Sequence, residues 1–267
     1  MRYLITFIIL FCPATVLGDL TSSEMKNLRD VEIIILGEVH DNPAHHLGQA
    51  GLIAEIDPTS VVFEMLSPEM AVAASTFTGP LPELGAAIGW EEAGWPDFAM
   101  YLPVFEALDD AVIMGAAAPR DFVRAAFSKG AAEVFGEDAP RFGLTVALPA
   151  EQAEQRAAFQ FAAHCEAMPR EMMGGMVEAQ RFRDAIFANA ALKALETHGS
   201  PVVVITGHGH ARRDWGIPFM ITQADPDVMV FSVGFMETPA REDDPRFDAT
   251  VVTAAAERAD PCAVFRN

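Results

Sequence analysis

Two stretches far apart in the chain carry the same spacing of glycine and histidine: Gly37-Glu38-Val39-His40 and Gly207-His208-Gly209-His210. With His45 and His46, five of the seven histidines fall in these two neighbourhoods. Neutral imidazoles together with Glu38 or Glu64 supply the nitrogen and oxygen ligands of a divalent transition-metal site. Hydrolysis at such a site would further require an open coordination position and a carboxylate base beside the bound water. Glu64 stands out because it lies in the apolar run Val61-Val62-Phe63-Glu64-Met65-Leu66, where an unpartnered charge is expensive to bury. A cation, a histidine or hydrogen-bond donors would offset that cost; the plainer alternative is a carboxylate that takes backbone N–H bonds at a sheet edge. Arg212, Arg213 and Asp214 follow the second histidine pair and either bind an anion, with Arg212 foremost, or form a surface ion-pair cluster.

These residues depend on the elements that carry them. Nearly continuous apolar runs predict strands at Val31 to Leu36, Ser60 to Met65, Ala111 to Ala116, Pro201 to Thr206, Val228 to Val233 and Thr250 to Thr253. Helical composition covers Pro43 to Glu55, Pro68 to Thr76, Arg120 to Phe135, Ala150 to Ala163 and Arg170 to His198. The alternation predicts an α/β fold, a mostly parallel sheet flanked by helices, whose strand tips meet at one edge. Gly37 is expected to turn the chain off its strand, Asn42 to cap the next helix and Pro43 to open it. His45 and His46 then occupy the first helical turn, where the helix dipole disfavours protonation and leaves them able to ligate. Glycines on both sides of His208 predict a loop there.

Gly79 to Pro103 forms a Trp-rich helical and loop insertion with two of the three tryptophans, Trp90 and Trp95. Such aromatics either cover a core or wall a flat apolar ligand. Met172, Met173 and Met176 around Gly174-Gly175 read as packing material or an adaptable contact surface. There is no Gly-x-Ser-x-Gly elbow, His-Glu-x-x-His helix, phosphate loop or Cys-x-x-Cys-His haem attachment, which removes several common enzyme classes.

A chain of 267 residues that is 51% hydrophobic suits one large domain, here residues 19–267. A net charge of −20 with only 18 Lys and Arg argues against nucleic acid as a partner. Residues 1–18 read as a signal peptide, with Arg2, an apolar stretch from Leu4 to Phe11, and Val16-Leu17-Gly18 before Asp19. The expected destination is the periplasm. Cys12 invites lipid anchoring, but Phe11 stands where a small residue is needed, so ordinary cleavage is favoured. Cys165 and Cys262 then remain, either as a disulfide or as two buried thiols.

The chain resembles the ChaN-type haem-binding uptake proteins of the Tiki superfamily, which also includes the Tiki metalloproteases and erythromycin esterases. The resemblance rests on residues 37–46, Val62-Phe63-Glu64-Met65, Gly94-Trp95-Pro96, Ala118-Pro119-Arg120, Gln180-Arg181-Phe182-Arg183-Asp184 and residues 207–212. It implies an exported protein that binds haem and its iron, between two subunits in a homodimer, and takes part in haem or iron uptake, with an outer-membrane receptor as partner. The wider superfamily implies the alternative of a metal-dependent hydrolase acting on a peptide or ester. By motif, Glu38, His40, Glu64 and His210 carry over. If haem takes a tyrosinate ligand, Tyr101 is the sole candidate after signal removal; otherwise a histidine must serve.

Overall fold

Short apolar runs without alternation are stable as strands only when both faces are covered, and the covering elements here are helices. The structure is a computed structural model that describes Leu20, Glu24, Lys26, Leu28 and residues 30–265; the leader read at residues 1–18 lies outside the described residues. The elements run β1 (Ile33–Glu38), α1 (Pro43–Ile56), β2 (Ser60–Phe63), α2 (Pro68–Thr76), α3 (Leu84–Ile88), α4 (Leu102–Glu106) and β3 (Val112–Gly115). There follow α5 (Arg120–Lys129), α6 (Ala131–Phe135), α7 (Ala150–Ala163), α8 (Met173–His198), β4 (Val202–Gly207), α9 (Ile217–Ala224), β5 (Val230–Glu237) and β6 (Ala249–Thr253).

The six strands form one parallel sheet in the order β3-β2-β4-β1-β5-β6. Every residue of β1, β2 and β4 is buried. Alternate side chains feed two cores: Ile34 and Leu36 pack towards α1 and the insertion, while Ile33 and Ile35 pack towards α8 and α9. The fold is therefore the expected α/β sheet flanked by helices.

Three helix boundaries differ from expectation. The helix read over 120–135 breaks at Gly130, whose φ of +95° lies outside the helical range and separates α5 from α6. The helix read from Arg170 begins as a 3-10 turn over Arg170–Met172 before α8. Helix α9 was not expected because Ile217, Pro218, Met220 and Ile221 are all buried, which leaves little polar face to reveal a helical period. In the insertion, Trp90 and Tyr101 are wholly buried and the Trp90 indole N–H donates to Pro96 O at 2.7 Å. Met173 is buried, whereas Met172 is exposed.

Cys165, just past the end of α7, is disulfide-bonded to Cys262, closing a sequence separation of 97 residues. The bridge fixes the C-terminal segment to the helical layer. Replacing Cys262 with serine should lower the unfolding free energy by about 2–4 kcal/mol, read as a lower urea midpoint with a slope that rises as the unfolded chain expands.

Candidate functional site

The strand order explains how distant motifs meet. β4 lies between β2 and β1, so the residues that follow these three strands lie side by side at the C-terminal edge of the sheet. Glu64 follows β2 directly, Glu38 ends β1, and His208 and His210 sit in the turn after β4. Glu38 pairs in register with Gly207, and Glu64 N donates to Ile205 O at 3.0 Å.

Gly37 is not a turn residue as expected, since β1 continues through it to Glu38. Its importance is close approach: a Cβ there would stand 2.5 Å from Ala211 Cβ and 2.9 Å from His208 Cα. The absent side chain lets the 208–211 turn rest on the tip of β1. His208 N accordingly donates to Glu38 O at 2.8 Å.

Glu64 is 3% exposed and fully engaged. Its Oε2 accepts from Thr206 Oγ1 at 2.6 Å and Gly207 N at 2.8 Å, and its Oε1 accepts from Arg183. His210 Nε2 and His40 Nε2 approach the same carboxylate at 3.6 and 3.9 Å. Burial alone would raise its pKa, but the charges of His210, Arg183 and His40 hold it well below the usual carboxylate range. Both sequence readings of Glu64 are realised together: it takes a backbone N–H at the sheet edge and it faces cations. It stays ionised, and its lone pairs are spent on orientation.

Three histidines share one design. Nδ1 of His40 bonds Glu38 Oε1 at 2.8 Å, Nδ1 of His208 bonds Glu38 O at 3.1 Å, and Nδ1 of His210 bonds Asp184 Oδ1 at 2.6 Å. Carbonyl and carboxylate oxygens only accept, so each bond places a proton on Nδ1; the Nε2 atoms of His40 and His210 then face Glu64, and that of His208 has no hydrogen-bond partner among the described residues. Burial lowers the pKa of His208 and favours the neutral imidazole. Burial pulls His40 in the same direction, but its bond to Glu38 and the charges of Glu64 and Glu38 win and raise it.

The other expected site residues are placed differently. His45 and His46 are wholly buried on the inner face of α1. His45 Nδ1 accepts from Val39 N at 2.9 Å, and burial lowers its pKa to about 4, in the expected direction but through desolvation. The His46 ring lies 3.9 Å from that of Tyr101, and its Nε2 is 3.5 Å from Glu38 Oε2. Tyr101 donates to Glu38 Oε1, and burial with the neighbouring Glu38 charge pushes its pKa well above the ordinary value. Tyr101 is wholly buried and does not line the cleft onto which the histidines open. His45, His46 and Tyr101 all stand behind the histidine cluster; Tyr101 and His46 face the Glu38 carboxylate, and His45 holds the Val39 backbone.

Arg212 is 6% exposed, forms a two-pronged bond with Asp214 at 2.9 and 2.6 Å, and stacks over Trp215 at 3.4 Å. It takes the ion-pair alternative rather than facing a ligand. The polar partners of the site come from α8 instead: Gln180, the cation Arg183 and the acceptor Asp184, at helical spacing. From sequence these residues enter only in the motif behind the family resemblance, with no site role assigned; the signal was the polar i, i+3, i+4 spacing, which puts all three on one face of the helix. The insertion divides its aromatics, since Trp90, Phe98 and Phe105 are buried while Trp95 sits at the site, 5.1 Å from the His40 ring.

The cluster opens onto a cleft of about 680 Å³ lined by His40, His208, His210, Arg183, Phe127 and Phe159. Met176 of the methionine group also lines it. Apolar rings around a few convergent nitrogens suit a flat organic ligand carrying a metal. Among the described residues, no group of three or more His, Cys, Asp or Glu is arranged to hold a bare metal ion.

The fold and site thus define an α/β protein with a histidine-lined cleft at the C-terminal edge of a parallel sheet. Residues 24–221 match the family described as haem-binding uptake, Tiki superfamily, ChaN, and the chain belongs to that family. Among solved structures it is similar to ChaN of Campylobacter jejuni, described with cofacial haem binding, at 20% identity over 87% of this chain and 91% of that one, with a TM-score of 0.64. The type III effector HopBA1 follows at 12% identity, 88% and 92% coverage and a TM-score of 0.45. A variant of the erythromycin esterase EreC in its open conformation gives 11% identity, 88% and 80% coverage and a TM-score of 0.44. No curated protein matches the chain.

Two outcomes are expected from this geometry. Burial would raise the pKa of Glu38, but bonds and charges from His40 and His46 bring it from the ordinary 4.5 to about 2. A depressed folded pKa contributes stability that is complete above pH 4.5 and lost as pH falls through about 2, roughly 3 kcal/mol in all. Acid unfolding monitored by circular dichroism should show this loss, and Glu38→Gln should flatten it. Gly37→Ala should destabilise by about 1–3 kcal/mol and move the 208–211 turn, seen as shifted histidine resonances by NMR.

Proposed function

We propose that this protein is an exported haem carrier of a haem or iron uptake system, and that haem enters the cleft in front of His40, His208 and His210. The observation that carries the reading is an aromatic-walled cleft lined by three imidazoles whose Nδ1 atoms are tied back, with His208 Nε2 left without a hydrogen-bond partner among the described residues. His208 is the ligand best prepared for ferric iron, because burial favours its neutral form and Glu38 O fixes its tautomer. His40, with its raised pKa, supplies positive charge beside it. Export to the periplasm is supported by the leader-like residues 1–18 and by the Cys165–Cys262 disulfide, a bond that persists in oxidising compartments. The likeness to a protein described with cofacial haem binding supports a stacked haem pair as the ligand. The proposed enclosure between two copies of this chain and delivery from an outer-membrane haem-uptake receptor rest on the family resemblance.

Titrating the purified protein with haemin should give a saturable Soret shift at low micromolar concentration. His208→Ala should shift the band position and weaken binding by about tenfold or more, whereas Tyr101→Phe should retain the native spectrum. A spectrum indistinguishable from free haemin throughout the titration would refute the reading.

A further inference from the structure

Adjoining the histidine cleft, with Val123, Arg124 and Arg183 lining both, is a second, larger cleft of about 1230 Å³ whose lining holds no histidine. We propose that it is a binding site for an amphipathic carboxylate, whose apolar body lies along α8 and β3 and whose carboxylate is taken by Arg120, Arg124 and Lys193. The ligand could be the propionate-bearing side of a tetrapyrrole, in which case this rests on the haem reading, or a free acyl anion, in which case it does not.

The floor of the cleft is apolar for a sequence reason. Residues at helical spacing on α8, Ile186, Phe187 and Ala190, face the same space as Ile113 and Met114 of β3. Val72 of α2, also on the lining, leaves 66% of its surface exposed. A surface of this kind gains from covering by an apolar body.

The rim is cationic in a protein whose net charge is −20. Among the described residues, neither Arg120 nor Lys193 has a carboxylate within 4.0 Å; Arg120 donates only to Ala93 O, at 3.0 Å. Arg124 pairs with Asp121 at 3.3 Å, but both side chains are largely exposed and such a pair contributes little. The carboxylates on the lining do not cancel these charges. Glu64 is held by Arg183 and Thr206, and Glu69 accepts from Ser67 Oγ at 2.8 Å. Glu92 lies back over Gly89, its Oε2 3.7 Å from where a Cβ of that glycine would stand. The start of α5 lines the same cleft and has no side-chain cap, so its first backbone N–H groups add donors on the same side. Guanidinium groups pair with carboxylates in a planar fork, and lysine adds a point charge, so the rim matches the head of the proposed ligand as the floor matches its body.

The test uses the full chain and metal-free probes, which removes iron ligation from the measurement. Protoporphyrin IX, its dimethyl ester and dodecanoate are titrated, with quenching of tryptophan fluorescence as readout and competition against protoporphyrin for the fatty acid. Protoporphyrin should bind about tenfold more tightly than its ester, and the double variant Arg120→Ala/Lys193→Ala, at residues that line this cleft and not the histidine cleft, should abolish that difference, as loss of a charge-assisted bond predicts. Lys193→Ala should weaken it in part, and His208→Ala should leave it unchanged. Displacement of protoporphyrin by dodecanoate assigns the site to acyl anions generally; no displacement assigns it to the tetrapyrrole. Equal binding of acid and ester within twofold, or affinity unaltered by the double variant at unchanged melting temperature, overturns the proposal whether or not the haemin spectrum responds to His208→Ala. Failure of every metal-free probe to bind overturns it as well.

Discussion

A carboxylate buried at the end of a central strand is the constraint around which this structure is arranged. Glu64 cannot be ionised in an apolar layer without donors on each oxygen. The fold meets that demand from two directions: Thr206 and Gly207 from the neighbouring strand β4, and Arg183 from the long helix α8. Meeting it fixes the tip of β2 against β4 and draws α8 over the sheet edge. His210 and His40 then find the carboxylate already in place and turn their Nε2 atoms towards it.

Glu38 performs the matching task from the other side of β4. It receives Tyr101 and His40 on one oxygen and has His46 near the other, while its backbone carbonyl holds His208. The buried aromatic insertion is thereby connected to the ligand-facing histidines through one side chain. Asp184 completes the arrangement by holding His210 at 2.6 Å. Carboxylates that looked like bases or ligands in the sequence instead behave as supports, and the nitrogens they orient are what the cleft presents.

Much of the fold is legible because burial on both faces leaves a plain mark. The unbroken apolar runs ending at Leu36, Met65 and Thr206 gave three central strands, and their wholly buried patterns confirm the reason. Helix α9 was hidden by the same physics, since its burial removed the polar face that announces a helix. Gly37 is expected from sequence to turn the chain off its strand, whereas it is a place where another segment must come within contact distance of the backbone. No local pattern distinguishes those two uses.

The sequence by itself determined the strand ends, the residue types brought to them and the need of Glu64 for a partner, because these follow from local hydrophobicity and the cost of burying charge. Tertiary structure alone decided which residues answer. It inserted β4 between β1 and β2, chose Arg183 over Arg212 as the cation, and placed His45, His46 and Tyr101 behind the cleft rather than in it. Those outcomes depend on strand order and helix packing, which are set by contacts between residues far apart in the chain and leave no trace in the spacing of any one motif.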